Sequence, residues 1–571
     1  MNGAQLMVEM LLAHGVEHVF GVPGDTSLPL YDAFYAARGR LRHIMARDER
    51  SASFMADAYA RAGRRPGVCE GPSGGGATYI VPGVAEANFS SVPLIVLTTD
   101  VPVAWEGKGE LTAMDEVAAL RASTKWSTQV KRVEQLPDAV RQAFRTATTG
   151  RPGAVHLALP EDILQAEMQS PDTRADTEVA TYPAYRTRPD PRAIERAVAT
   201  LIKAERPVIL AGGGTILSRA WDELTALAEA LAAPVATTIN GKGSIAESHP
   251  LSLGVVGGNG GRPYANEFVR AADTLLCIGT RLNRVDTANR TLIRPRATLV
   301  QIDVDPTQIG NNYGVEVGVV GDAKLAIADL LAALNERQAG SGEPGAAARA
   351  RAEEIASAAA TFWGGVREKA AAKDFPLKPQ TVIAELAAAL PEDSVLVVDP
   401  GTMTPFVAAQ FALERPGRRI LCPRAHGGLG YAIPGVVGAK LARPGATVVG
   451  ICGDGSFGMS CGDLDTIHRS GLPVVLLQMN NGCFGWIKML QKLYCGERYF
   501  GVDFSADTDY AKVADGFGLR GVRVASADDL AEAIHSALRD ERPSFIDVPT
   551  QPETVETPPV EAWQRALVGR R

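Results

Sequence analysis

The chain has 571 residues, a formal net charge of −7, 46% hydrophobic residues and 22% charged residues. Single cores stop growing near ~250–300 residues, so two or three domains are expected, and the acidic balance gives no support to a broad nucleic-acid-binding face. No apolar stretch reaches the ~18–20 residues of a membrane span. The start, Met1-Asn2-Gly3-Ala4-Gln5-Leu6, lacks a basic region leading into an apolar core, and the seven cysteines form no CxxC pair or Cys/His zinc spacing. A chain with free thiols in a reducing cytoplasm is the expectation, with no membrane partner.

Residues 1–165 read as one α/β domain. Gln5 to His14 predicts a short helix, and Val19 to Asp25 a strand end and turn. Leu41 to Met45 reads as a strand that delivers Arg47-Asp48-Glu49-Arg50 to its tip, ahead of a helix over Ser51 to Ala62. Glu49 at such a junction has two readings. It is a water-facing acid that complements the helix dipole, or a buried carboxylate suited to proton exchange with a heterocycle nitrogen. Next, Gly71-Pro72-Ser73-Gly74-Gly75-Gly76 places four glycines in six residues, which demands unusual backbone angles or close contact with something. Asp25 either caps its own turn or faces a ligand. Pro93 to Asp100 and Arg151 to Pro160 read as buried strands, with His156 a structural histidine. Lys125 reads as a solvent-facing lysine or a contact for an anion. Residues 167–190 read as a linker.

Residues 191–340 form a second α/β unit, with strands over 207–211, 234–238, 272–278 and 298–303 and glycine turns at Gly212-Gly213-Gly214 and Gly279. No complete GxGxxG with a matched acid occurs, so no dinucleotide fingerprint is read. The Gly257 to Arg262 run suits either approach to a nucleotide or CoA phosphate or a plain glycine loop. Gln338 to Gly345 reads as a flexible linker, followed by a surface helix.

Residues 379–555 form the last unit. Ser394 to Asp399 is a strand followed by Pro400-Gly401-Thr402-Met403-Thr404, and Arg424 to Pro434 carries His426-Gly427-Gly428-Leu429-Gly430-Tyr431. Ala446 to Cys452 is a β-branched strand ending at Gly453-Asp454-Gly455-Ser456, with a short helix expected over Ser460 to Arg469. Leu472 to Met479 is the next strand and ends at Asn480-Asn481-Gly482-Cys483. In a parallel sheet both tips lie at the carboxyl edge, where open α/β sheets bind ligands. An Asp carboxylate and an Asn amide oxygen suit Mg²⁺ or Ca²⁺, with substrate phosphates completing the shell. Trp486, Ile487, Met489 and Leu490 read equally as an apolar pocket or as core, and the tail to Arg571 as surface packing.

Taken together, Gly453-Asp454-Gly455 through Asn480-Asn481 resembles the metal and diphosphate motif of thiamine-diphosphate (ThDP) enzymes, and Ser73 to Thr78 resembles the SGPGAT loop of acetolactate synthases, with Gly75 and Tyr79 as departures. The resemblance covers nearly the whole chain. It implies three Rossmann-like parallel-sheet domains: a pyrimidine-binding domain, a central domain and a diphosphate-binding domain. It implies Asp454, Asn481 and the Cys483 carbonyl as Mg²⁺ ligands. Gly401, Thr402, Met403, Gly453, Gly455 and Ser456 would lie along the diphosphate, the Gly427 carbonyl at the 4′-amino group, and Leu429 as the wedge that bends the coenzyme. Glu49 would hydrogen-bond N1′ of the aminopyrimidine. Asp25 resembles the substrate-facing aspartate of pyruvate-decarboxylase-like members, whereas their paired histidines are absent, Met114-Asp115-Glu116 stands in that region, and Ile487 replaces their protonating glutamate.

The implied activity is ThDP- and Mg²⁺-dependent decarboxylation of a 2-oxo acid with transfer of the acyl-anion equivalent to a second carbonyl compound. Alternatives are a non-ligating decarboxylase, a C–C lyase, a CoA-thioester decarboxylase of the oxalyl-CoA kind, or a degenerate scaffold. The middle domain is expected to hold no FAD. A homodimer or dimer of dimers with shared sites is expected.

Overall fold

The computed structural model describes residues 1–338 and 345–568. The linker reading at Gln338–Gly345 falls mostly outside those residues. Three six-stranded, all-parallel sheets carry the chain. The first uses β1 (His18–Gly21), β2 (Arg42–Met45), β3 (Gly67–Gly71), β4 (Leu94–Asp100), β5 (Trp126–Gln129) and β6 (Ala154–Pro160), in the order 2-1-3-4-6-5. The second uses β7 (Pro207–Ala211), β8 (Val235–Thr237), β9 (Ser252–Val255), β10 (Thr274–Ile278), β11 (Thr298–Asp303) and β12 (Val317–Val320). Its order, 9-8-7-10-11-12, is the doubly wound order of Rossmann-like sheets. The third uses β13 (Val395–Val398), β14 (Ile420–Leu421), β15 (Val448–Gly453), β16 (Val475–Asn480), β17 (Arg520–Arg523) and β18 (Ser544–Pro549), in the order 14-13-15-16-18-17. The first and third sheets thus repeat one topology. Strands such as Leu94–Asp100 are buried throughout, as parallel strands covered on both faces must be.

The first and third domains share one core. The helix Glu49–Gly63 lies on the helix Ala432–Ala442 so closely that a Cβ at Gly438 would stand 1.9 Å from the Met55 carbonyl oxygen. Phe54 meets Tyr431 edge-on at 5.3 Å. Inside this contact Arg61 pairs with both Asp57 (2.7 Å) and Glu86 (3.1 Å). Tyr431 donates to Asp57, and Glu86 accepts the backbone N–H groups of Arg424, Ala425 and His426. The loop that leads to Leu429 is thereby fixed from the first domain.

The helix expected over Ser460 to Arg469 is present as Leu464–Ser470, and a further helix, Asp454–Ser460, precedes it directly after β15, because Gly453 in extended backbone caps it and an acid sits in its first turn. The tail does not simply lie on the surface: its helix Glu561–Val568 buries Trp563 against Trp486, 4.4 Å between rings. Met489 joins that cluster and Ile487 stays exposed, so the stripe on this helix is chiefly core. In the Gly257–Arg262 loop, buried Arg262 is spent on Glu247 and the Ala409 carbonyl. Among the described residues no helix is long and apolar enough to cross a membrane.

Candidate active site

Adjacent strands β15 and β16 end side by side, with Gly453 in register with Met479. Asp454 is buried, and its carboxylate accepts the Gly455 N–H at 2.9 Å and the Gly482 N–H at 2.7 Å. Burial pushes the Asp454 carboxyl up to about 7, and neighbouring Glu553 adds to the rise. A carboxylate so placed calls for a cation. Asn481 is oriented from behind: its Nδ2 donates to both oxygens of Glu553 at 2.9 Å, so its Oδ1 faces the other way and accepts the Cys483 N–H at 3.1 Å. The Cys483 carbonyl takes the Gly485 N–H at 2.9 Å and keeps a second lone pair. One carboxylate, one amide oxygen and one carbonyl make a hard oxygen set short of three charged ligands, which fits an ion completed by phosphate oxygens. Among the described residues no cluster of three or more His, Cys, Asp or Glu side chains forms a metal site.

Glu553 was missed by sequence reasoning. It is 5% exposed, bonds Thr402 as well as Asn481, and so ties the loop after β13 to the tip of β16. A Cβ at Gly485 would stand 1.8 Å from its Oε2, which explains a glycine at the start of that helix. Asp399, also missed, is fully buried, and burial lifts it to about 7. It accepts the Tyr431 N–H at 2.6 Å and bonds Ser456, joining three loops at one edge. Around that edge Gly401, Gly427 and Gly482 have φ of +145°, +77° and +71°. Side chains at Gly427 and Gly482 would meet nothing within 4 Å. Glycine here serves backbone angle and leaves open space, as a cradle for a ligand requires. Met403 is buried, Leu429 half-buried, and Gly455 has no room for a side chain beside Phe484.

Glu49 opens its helix, where Asp48 caps by accepting the Arg50 N–H. It does not face water: it is 8% exposed, and burial, followed by Asp48 and Glu70, raises its proton affinity. A Cβ at Gly76 would lie 3.2 Å from its Oε1, and one at Gly71 3.4 Å from its Cγ. The glycine loop therefore makes room for this carboxylate. Asp48, Glu70, Gly71 and Gly76, the groups around Glu49, all belong to the first domain.

Asp25 is exposed, and Ser27 takes the capping role by bonding the Gly24 N–H at 2.9 Å. Its turn packs on the glycine loop, Gly24 against Pro72. Asp115 caps the helix Glu116–Arg121. The half-buried Lys125 turns inward: its ammonium donates to the carbonyls of Thr146, Thr149 and Arg151, and burial lowers it to about 8. His156 is the structural residue expected, buried between Thr98 and Ser127.

Three family descriptions match in chain order: "Thiamine pyrophosphate enzyme, N-terminal TPP binding domain" over residues 1–119, the central domain over 194–330, and the C-terminal TPP binding domain over 399–548. The chain is 36% identical over 560 residues to a probable acetolactate synthase large subunit of Methanocaldococcus jannaschii, covering 97% of this chain and 92% of that one. It is 35% identical to the corresponding protein of Methanococcus aeolicus, covering 97% and 93%. It is 32% identical to an acetolactate synthase of Arthrospira platensis, covering 96% and 94%.

Proposed function

This chain belongs to the thiamine-pyrophosphate-dependent enzymes of the acetolactate synthase large-subunit kind, and we propose that it decarboxylates a 2-oxo acid and joins the acyl-anion equivalent to a second carbonyl compound. When bound, ThDP supplies the electron sink that makes loss of CO₂ feasible. The remaining work is assigned to the chain. Asp454, Asn481 and the Cys483 carbonyl hold Mg²⁺. Gly401, Thr402, Met403, Gly453, Gly455 and Ser456 line the diphosphate. The Gly427 carbonyl and Leu429 orient the pyrimidine end, where Glu49 holds a proton at N1′. Decarboxylation with ligation is redox-neutral, so this reading calls on no flavin.

The observation that carries the reading is Asp454 and Asn481 side by side at the tips of β15 and β16, one short of a cation and the other aimed by Glu553. Aldehyde release is the second reading, favoured by exposed Asp25 beside the glycine loop. Incubation with pyruvate, ThDP and Mg²⁺ separates them: ligation gives CO₂ with acetolactate, release gives CO₂ with acetaldehyde, and no CO₂ from any 2-oxo acid sinks both.

The same reading makes the enzyme a homodimer or dimer of dimers. Glu49 is walled by its own domain, while Leu28, Tyr79 and Leu111 of the first domain and Ile487 and Phe500 of the third are large apolar side chains left exposed. A second copy would cover them and bring its diphosphate edge to Glu49. The seven unpaired cysteines support a reducing compartment, the cytoplasm.

A further inference from the structure

The loop that carries Leu429 is held at both ends by a buried carboxylate, and the two acids come from different domains. Glu86, on the helix Val81–Phe89 of the first domain, is fully buried. Its Oε1 accepts the Arg424 N–H at 3.0 Å, and its Oε2 accepts the Ala425 N–H at 3.1 Å and the His426 N–H at 2.7 Å. Three successive main-chain donors thus converge on one side chain that lies 338 to 340 residues earlier in the chain. At the far end Asp399 accepts the Tyr431 N–H at 2.6 Å. Between the two acids runs Gly427-Gly428-Leu429-Gly430, with φ of +77° at Gly427 and +82° at Gly430. Among the described residues the N–H groups of Gly427, Gly428 and Leu429 donate to no acceptor. A span with three glycines has wide backbone freedom, so the half-buried leucine in it takes one place only if the ends are fixed.

Glu86 has a rigid seat. Its helix lies so close to the helix Glu49–Gly63 that a Cβ at Gly83 would stand 2.1 Å from Ser53 Oγ. Arg61, on that second helix, meets Glu86 Oε1 at 3.1 Å, and the Ser90 hydroxyl donates to the same oxygen. Burial opposes the charge, but Arg61, Ser90 and the His426 and Ala425 N–H groups outweigh it and hold the carboxyl below its ordinary range. The acceptor is therefore a carboxylate, and its bonds are of the stronger, charge-assisted kind. The same helix also backs the glycine span, since a Cβ at Gly428 would stand 3.0 Å from Phe54 Cζ. Glu86 grips main chain, so it fixes backbone position, and its shortest bond to that chain, at His426, stands one residue before Gly427. We propose that Glu86 is a positioning residue for the reaction: from the first domain it sets the place of the Leu429 side chain against the pyrimidine end of the coenzyme. This rests on the reading of Leu429 as the wedge. A span displaced by about 1 Å loses that orientation, while Asp454 and Asn481 keep their hold at the other end.

The test compares wild type, Glu86→Gln, Leu429→Ala and the double variant, each with saturating ThDP and Mg²⁺. Glutamine keeps the size of Glu86 but turns one oxygen into an amide, which sets donor against donor on whichever side it faces. Hydrogen–deuterium exchange at C2 of bound ThDP should fall at least about tenfold in Glu86→Gln, with Mg²⁺-dependent ThDP affinity within about threefold of wild type. General loosening of the fold would not give that split. Leu429→Ala should lower exchange to a similar degree, and the double variant should stay within about threefold of Leu429→Ala, because both changes act on one group. Should Glu86→Gln not fold, Glu86→Asp, which keeps the charge beside Arg61 but withdraws it from the loop, takes its place in the same cycle. Wild-type exchange in Glu86→Gln with exchange lost in Leu429→Ala, or losses that multiply in the double variant, overturns the role of Glu86 while the reading of Leu429 stands. Equal losses of exchange and of ThDP affinity in Glu86→Gln overturn it as well. Wild-type exchange in Leu429→Ala overturns the reading of the wedge itself.

Discussion

Gly485→Ala is a one-methyl test of the metal site. The new Cβ would stand 1.8 Å from Glu553 Oε2 and 2.7 Å from Asn481 Nδ2. Non-bonded contacts need more than about 3 Å, so the carboxylate must retreat by more than about 1 Å. The Asn481–Glu553 hydrogen bonds, 2.9 Å now, then pass out of range. Gly485 has no positive φ, so alanine adds no backbone strain, and at a helix start it is a good helix former. The cost falls on the lost charge-assisted bond, about 1.5–3 kcal/mol. That corresponds to a loss of roughly 10–100-fold in Mg²⁺-dependent ThDP affinity, the usual scale for partners that orient a metal ligand. Titration of Mg²⁺ into protein with ThDP, followed by calorimetry, reads it. An unchanged midpoint in a variant that melts like wild type would refute the account of Asn481 and Glu553.

Three further outcomes are expected. Buried Glu116 bonds Thr98, and burial with nearby Asp100 pushes it to about 8 from 4.5. The fold then binds a proton that the unfolded chain releases, so stability falls as pH rises from about 4.5 to about 8 and levels above. Denaturant midpoints at two pH values should differ less in Glu116→Gln than in wild type. Arg61→Met leaves Asp57 and Glu86 buried without their cation and should cost about 3–5 kcal/mol in chemical denaturation. Subunit exchange between inactive Glu49→Gln and Asp454→Ala proteins should restore about a quarter of wild-type activity if sites are shared between copies, and none if each site lies within one chain.

The three sheets and the strand tips were legible because β-branched runs ending in Gly-Asp or Asn-Asn carry both the strand and its stop in local sequence. Asp454 and Asn481 were found that way. Glu553 lies 72 residues from Asn481 in a segment with no periodicity, so nothing local pointed to it. Its one trace is Gly485, a glycine where a helix begins. Glu70 is an acid buried inside a strand-like Val68-Cys69-Glu70-Gly71 run, and the room for its side chain comes from Gly21 on the neighbouring strand, which local sequence does not reveal. Lys125 read as a surface or anion-binding lysine because the three carbonyls it satisfies come from the end of a helix and the segment after it, 21 to 26 residues later. The 1–165, 191–340 and 379–555 divisions are offered as limited-proteolysis boundaries.

The most direct test of the whole account is the exchange rate of the C2 hydrogen of bound ThDP, in wild type and in Glu49→Gln, with Mg²⁺ saturating. The account predicts that the variant still binds ThDP and Mg²⁺ and that exchange falls by roughly 100-fold or more, the scale of a lost general acid–base group. Exchange at the wild-type rate in the variant would contradict it.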